Sequence, residues 1–133
     1  MNIELYNKIR SQFHKEEVKK LLINPHMEPN DYWYKINKES DIDSTGFCYL
    51  ASQVYYMLEG KAKVWWCKKI VSDKLPYNGF HFYLEHKETG EIVDLTADQF
   101  GNLEIPRDEA TNYGIRFPTK ACKEFIRIMN NES

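Results

Sequence analysis

The sequence has little that would place it in a membrane or on a nucleic acid. No window approaches the ~18 consecutive apolar residues of a membrane span, and the N-terminus lacks a basic region followed by an apolar core. Its 18 basic and 20 acidic side chains are interspersed and give a net charge of −2, so no basic stripe is available to neutralise phosphates. We therefore expect a soluble, cytoplasmic protein with neither membrane nor nucleic acid among its partners.

Cysteine is also scarce, which argues against an oxidising compartment. The three cysteines, Cys48, Cys67 and Cys122, are an odd number, lie far apart and form no C-x-x-C pair. This pattern is typical of reduced thiols. We predict that Cys67 and Cys122 are core residues, and we expect no metal and no cofactor.

The length and composition are those of one compact domain. With 133 residues, 42% hydrophobic and 14% aromatic, the chain can form one core, and we predict a single domain over residues 1–133. Apolar residues at helical spacing predict one amphipathic helix or two short ones over 3–22, and a final helix beginning at Thr119. Prolines and polar residues over 24–43 predict a long structured loop.

The segment from Ser44 to Leu58 is predicted to be a buried helix with a cysteine at its start. Its apolar residues recur at helical spacing, and Gly60 follows as a helix stop. Either Ser44 or Thr45 is expected to cap this helix. Cys48 then lies at the positive end of the helix dipole, where free backbone N–H groups favour a thiolate.

A strand and a hairpin follow this helix. Residues 62–71 are rich in β-formers and predict a strand, and residues 80–85 and 91–95 predict a hairpin joined by a charged turn. The fold class that results is α+β, in which the central helix packs on a small antiparallel sheet with further helices at both ends.

The hairpin brings a histidine and an aspartate together. If His86 faces Glu91, then Asp94 and His81 are diagonal neighbours on one face, ~7–8 Å apart at Cα, which allows an imidazole and a carboxylate to meet. An aspartate beside a histidine fixes the ring tautomer and stabilises the imidazolium. Asp98 competes for this role, but it lies beyond the predicted strand, so we prefer Asp94. A metal site made from the same side chains is disfavoured, because no two candidate ligands have zinc-type spacing.

Three motifs carry a resemblance to known proteins. They are Gly46-Phe47-Cys48-Tyr49-x-Ala51-Ser52, Phe80-His81-Phe82-Tyr83-Leu84, and the run from Gly90 to Phe100 that contains Asp94-Leu95-Thr96-Ala97-Asp98-Gln99. Together they resemble a group of small bacteriophage and prophage proteins. More broadly, the layout is similar to the papain-like and transglutaminase-like superfamily, in which a helix-borne cysteine precedes a histidine and an aspartate on adjacent antiparallel strands.

The resemblance implies a cysteine-dependent acyl-transfer enzyme. Cys48 is then the nucleophile, His81 the base and Asp94 the residue that orients it, acting on a peptide, isopeptide or glutamine amide bond. The acceptor is water in a hydrolase or an amine in a transglutaminase. A phage origin implies a protein or peptide substrate in the host cytoplasm, such as a host protein. The oligomeric state stays open.

Aromatic residues are the predicted substrate contacts. We expect a substrate site lined by Trp33, Tyr34, Tyr49 and Trp65. The Cys48 backbone N–H is one candidate oxyanion donor, and the second is left open among Asn37, Thr45 and the indoles of Trp33 and Trp65. The alternative function is a catalytically silent member of the fold that binds a peptide, a partner protein or a small metabolite through an aromatic groove.

Overall fold

The structure, a computed structural model, describes residues 1–60, 62–115 and 118–131. Within these ranges the chain forms five α-helices, which are α1 (Ile3–Arg10), α2 (Glu16–Lys19), α3 (Tyr32–Glu39), α4 (Cys48–Leu58) and α5 (Lys120–Asn130). The described strands are β1 (Trp65–Val71), β2 (Phe80–His86), β3 (Ile92–Val93) and β4 (Thr111–Asn112). They form an antiparallel sheet in the order β3-β2-β1-β4, which confirms the α+β class.

The main core forms where α4 packs against the sheet, between α1 and α5. Ile9 of α1, Val54 of α4, Leu84 of β2 and Phe125 of α5 have no exposed surface and belong to one apolar cluster. The helix that carries Cys48 is therefore held on several sides. In the described part of the chain, no helix is both long and apolar enough to cross a membrane.

The register of the hairpin is the predicted one. Leu84 pairs with Val93 and Glu85 with Ile92, and the His86 N–H donates to the Glu91 carbonyl at 2.8 Å. The second strand is shorter than expected, because β3 ends at Val93, so Asp94 lies directly after the strand rather than within it.

The segment 24–43 was expected to be a loop, and this prediction is wrong in its second half. The aromatic residues lie on α3, after the prolines at 25 and 29. Trp33 and Asn37 are four residues apart and so share one side of this helix, where Asn37 is fully buried. Aromatic residues are weak helix formers, and burial of this side outweighs their local preference.

Two other segments add detail to the predictions. The first, residues 3–22, forms two short helices followed by a 3₁₀ turn at Lys20–Leu22. Of the two predicted alternatives, one long helix or two short ones, the second is therefore confirmed. The second, residues 102–117, contains the short strand β4 beside β1, which the sequence patterns did not predict. The last two residues of that segment, 116 and 117, lie outside the described residues.

Candidate active site

Cys48 is the first residue of α4, and a tight turn places it there. Gly46 has a φ of +87°, a conformation that residues with a Cβ rarely adopt, and its N–H donates to Oε1 of Gln99 at 3.1 Å. The thiol residue is nearly buried, with 9% of its surface exposed. A helix start leaves the first backbone N–H groups without intrahelical acceptors, so these donors surround the Cys48 position.

The predicted cap of this helix is wrong. Phe47 occupies the cap position and makes no side-chain capping bond. The Ser44 hydroxyl instead donates to Oδ1 of Asp98 at 2.6 Å, and Oγ1 of Thr45 lies 2.8 Å from Oγ of Ser40. Neither hydroxyl is free to accept a backbone N–H of α4, because both residues are buried and hydrogen-bonded to these other side chains. Neither hydroxyl therefore caps the first turn of α4.

His81 and Asp94 form a buried pair. Nε2 of His81 lies 2.6 Å from Oδ2 of Asp94, and the two side chains are 0% and 5% exposed. A contact of this length between an imidazole and a carboxylate is a strong, charge-assisted hydrogen bond when the imidazole is protonated. It fixes the ring in one orientation.

Cys48 is a second partner of the same imidazole. Burial alone would lower the pKa of His81, but hydrogen bonds and charge interactions with Asp94 and Cys48 outweigh it and raise this pKa to about 9. Because Nε2 is engaged by Asp94, the thiol is left with the other ring nitrogen, Nδ1, for which the described residues offer no well-aligned hydrogen bond. The structure thus brings the three predicted residues together.

Asp94 is held by more than the histidine. Its Oδ1 accepts the Thr96 N–H at 3.2 Å, and its Oδ2 accepts Nη2 of Arg107 at 3.1 Å. The Arg107 guanidinium also lies 4.5 Å from the centre of the Tyr83 ring. Sequence reasoning missed Arg107, because it lies in a segment without periodicity and only the tertiary fold brings it to Asp94.

Asp98, the competing aspartate, serves a different purpose. Its carboxylate accepts two hydrogen bonds from the Arg10 guanidinium, at 3.0 and 3.1 Å, and one from Ser44. Burial would raise the pKa of Asp98, but its bonds with Arg10 and Ser44 outweigh this and lower it. Asp98 joins α1 to the loop before Cys48, and Asp94 is the aspartate that contacts His81.

The other two cysteines lie in the core, as expected. Cys67 is 4% exposed and Cys122 is 0% exposed. Burial raises the pKa of the Cys67 thiol to about 12 and that of the Cys122 thiol to about 11. Both thiols therefore stay protonated at neutral pH and are poor nucleophiles.

Cys48 also lines a groove of about 930 Å³. Of the predicted substrate contacts, Trp33 and Tyr49 line this groove. Trp65 does not, because it is buried in the core against Tyr55. Tyr34 is also directed elsewhere, and its hydroxyl donates to Oε2 of Glu16 at 2.6 Å. The predictions for Trp65 and Tyr34 are therefore wrong, since both rings are engaged in other contacts.

Most candidates for the second oxyanion donor are already engaged. Nδ2 of Asn37 donates to the carbonyls of Asp43 and Thr45, at 2.9 and 2.7 Å. The Thr45 hydroxyl is hydrogen-bonded to the Ser40 hydroxyl, and the Trp65 indole lies in the core. Only Trp33, among the side chains considered, lines the groove.

Metal chemistry has no ready site in the described ranges, where no group of three or more His, Cys, Asp or Glu side chains is arranged to hold an ion.

Comparison with known proteins adds no relative. The chain matches no protein-family model, no curated protein and no solved structure, so the papain-like or transglutaminase-like relationship stays a prediction and the functional argument rests on the geometry of Cys48, His81 and Asp94.

Proposed function

We propose that this protein is a cysteine-dependent acyl-transfer enzyme, with Cys48 as nucleophile, His81 as acid and base, and Asp94 as the residue that orients the imidazole. The observation that carries the proposal is the buried 2.6 Å contact between His81 and Asp94, on a ring whose other partner is the thiol of Cys48. Nucleophilic catalysis of this kind needs a nucleophile, a base beside it and a carboxylate that orients the base.

The first step is attack of the Cys48 thiolate on the carbonyl carbon of an amide. A C–S bond forms, and the carbonyl electrons move to oxygen. When the tetrahedral intermediate collapses, the C–N bond breaks and the proton held on His81 goes to the leaving amine. The positive charge that this histidine carries before the step is stabilised by the Asp94 carboxylate.

The second step releases the acyl group. Neutral His81 takes a proton from water, or from an amine, which attacks the thioester carbon, and the C–S bond breaks to return the Cys48 thiolate. Free N–H groups in the first turn of α4, including that of Cys48, are suited to stabilise the oxyanion in both steps.

The substrate that we propose is a peptide, isopeptide or glutamine amide in a protein or peptide. The groove beside Cys48 is large enough for several residues of an extended chain, and Trp33 and Tyr49 supply apolar contact area. The sequence motifs extend the proposal to a phage-encoded, papain-like enzyme that acts on a host protein in the host cytoplasm.

The same groove favours a second candidate function. A protein with this aromatic lining could bind a peptide without turnover. The two functions differ in the chemistry of Cys48, because a binding protein has no need of a reactive thiolate.

The deciding experiment is alkylation by iodoacetamide at pH 6, followed for each cysteine by mass spectrometry. Ordinary thiols are protonated at this pH, so we expect Cys48 to react at least ~10-fold faster than Cys67 or Cys122. The variant His81→Gln should lose this selectivity. The matched control is His86→Gln, which removes a histidine from the same strand, and it should keep the selectivity.

Equal, slow labelling of all three cysteines in the folded wild-type protein would overturn the enzyme proposal and favour the binding function. Circular dichroism of each variant before labelling separates a loss of chemistry from a loss of fold.

A further inference from the structure

We propose that the groove beside Cys48 receives an acidic peptide segment and that Lys69 binds one of its carboxylates. This inference rests on the proposed function, because it names the substrate class of the same site.

The groove is positively charged, although the whole chain carries a net charge of −2. Among the residues that the structure describes, its lining includes Lys20, Lys69 and Lys120, against a single glutamate, Glu124. That glutamate already accepts a hydrogen bond from Nε of Arg127 at 3.0 Å, so its charge is compensated. An occupant of complementary charge is therefore anionic.

Lys69 has the most specific surroundings of these lysines. Its ammonium lies 5.2 Å from the ring centre of Phe80, 5.4 Å from that of Tyr113 and 5.9 Å from that of Phe82. Within the described ranges, no carboxylate lies within 4 Å of it to form an ion pair. Aromatic faces hold a cation in place without neutralising its charge, so the ammonium stays available to an anion.

An aromatic wall connects this lysine to the thiol. Tyr49 follows Cys48 directly in the sequence, and its ring centre lies 5.0 Å from that of Phe82 and 5.7 Å from that of Tyr113. The same two rings surround the ammonium of Lys69. A substrate bound at Cys48 therefore crosses an apolar surface before it reaches the charge, which matches a peptide with an apolar side chain between the scissile bond and its acidic residues.

The distribution of the lysines favours several carboxylates over one. Lys20 lies in the 3₁₀ turn after α2, Lys69 on β1, and Lys120 at the start of α5. A single chain terminus supplies one carboxylate, which can meet one of them. A segment with two or more acidic side chains offers carboxylates to more than one of them, and we therefore choose an internal acidic segment over a free C-terminus.

The test measures binding to the full chain with Cys48→Ala, so that no probe is consumed. The probes are fluorescent hexapeptides, blocked at both ends, of one sequence that contains either two glutamates or two glutamines. We expect the glutamate peptide to bind about tenfold more tightly at low salt, with this preference falling as salt rises. Fluorescence anisotropy gives both dissociation constants.

Two lysine variants locate the preference. Lys69→Met should lower the tenfold preference to about threefold, because one of the two glutamates loses its partner while Lys20 and Lys120 remain in the groove. The matched control is Lys68→Met, on the same strand, whose ammonium donates to Oδ1 of Asn112 outside the groove. This control should keep the full preference.

Equal binding of the two peptides, or a preference that stays tenfold in Lys69→Met, would overturn the inference. Tighter binding of a 12-nucleotide oligothymidylate, or of a glutamine peptide with a free C-terminus, would also overturn it, because each shows a different anionic partner. Alkylation of Cys48 at pH 6 reports separately on the enzyme proposal. A glutamate preference without a reactive thiol therefore leaves this inference standing while the proposed function fails.

Discussion

His81 has no exposed surface, and its Nε2 atom lies 2.6 Å from Oδ2 of Asp94. A pair this deeply buried cannot exchange its partners for water without a cost of several kcal/mol. The orientation of the imidazole is therefore a property of the folded domain, fixed before any substrate binds.

Asp94→Asn should lower the rate of Cys48 alkylation at pH 6 by about tenfold or more, because the amide keeps the shape of the side chain but removes the charge that stabilises the imidazolium. The control is Asp98→Asn, which alters the contacts with Arg10 and Ser44 and leaves His81 untouched. It should keep the wild-type rate. Equal losses in the two variants would contradict the role given to Asp94.

Arg107→Gln should raise the pKa of His81 further. Arg107 and His81 share Oδ2 of Asp94. Without the positive charge of Arg107, the protonated imidazole is repelled less and interacts more strongly with the carboxylate, so the pKa of His81 rises. The pH at which the His81 ring titrates, followed by NMR of the ring protons, should therefore move upward. Arg107→Lys keeps the charge, and it should leave that pH near its wild-type position. A downward movement in Arg107→Gln would show that this contact works in another way.

The stability of the domain should fall between pH 6 and pH 8.5. The pKa of His81 is raised to about 9 in the folded chain, against an ordinary value of 6.5. The stability contributed by this protonation is fully present below pH 6.5 and is lost as the pH rises through 9. Linkage gives a loss of about 2 kcal/mol over the tested interval.

Urea unfolding at the two pH values measures this change. The same comparison in His81→Gln should show a much smaller difference, since the titrating group is absent. A variant as pH-sensitive as the wild type would assign the effect to other groups.

Gly79→Ala should destabilise the domain more than Gly90→Ala. Both glycines have positive φ, 78° and 75°, so both substitutions strain the backbone by about 1 kcal/mol. At Gly79 an added Cβ would also lie 2.3 Å from the Ser72 carbonyl oxygen, whereas at Gly90 nothing lies within 4 Å. We expect Gly79→Ala to cost about 2 kcal/mol more, measured by urea unfolding. An equal loss of unfolding free energy in the two variants would mean that the Ser72 backbone shifts easily to make room for the added Cβ.

Local patterns in the sequence were sufficient for the central part of the site. The turn length set the hairpin register, and the register brought Asp94 to His81. Helical spacing and Gly60 defined α4 and placed Cys48 at its start. These features depend on residues close together in the chain, which is why they could be read from it.

Long-range contacts could not be predicted in this way. Arg107 reaches Asp94 from a segment without periodicity, and the direction of Trp65 depends on which ring it meets in the core. The helix α3 was missed because its aromatic side chains favour other conformations locally, and tertiary contacts such as the burial of Asn37 stabilise the helix.

The two bonds from Asp98 and Gln99 to Ser44 and Gly46 tie the loop after Asp94 to the turn before Cys48. The amide hydrogen of Gly46 can exchange with deuterium only when this tie opens, so its exchange rate reports how often the thiol and the hairpin separate. We expect that rate to approach the rate set by global unfolding, and to rise in Gln99→Ala. Exchange at that limit would mean that Cys48 stays beside His81 and Asp94 through every local opening of the domain, because the two parts of the site would then separate only on global unfolding.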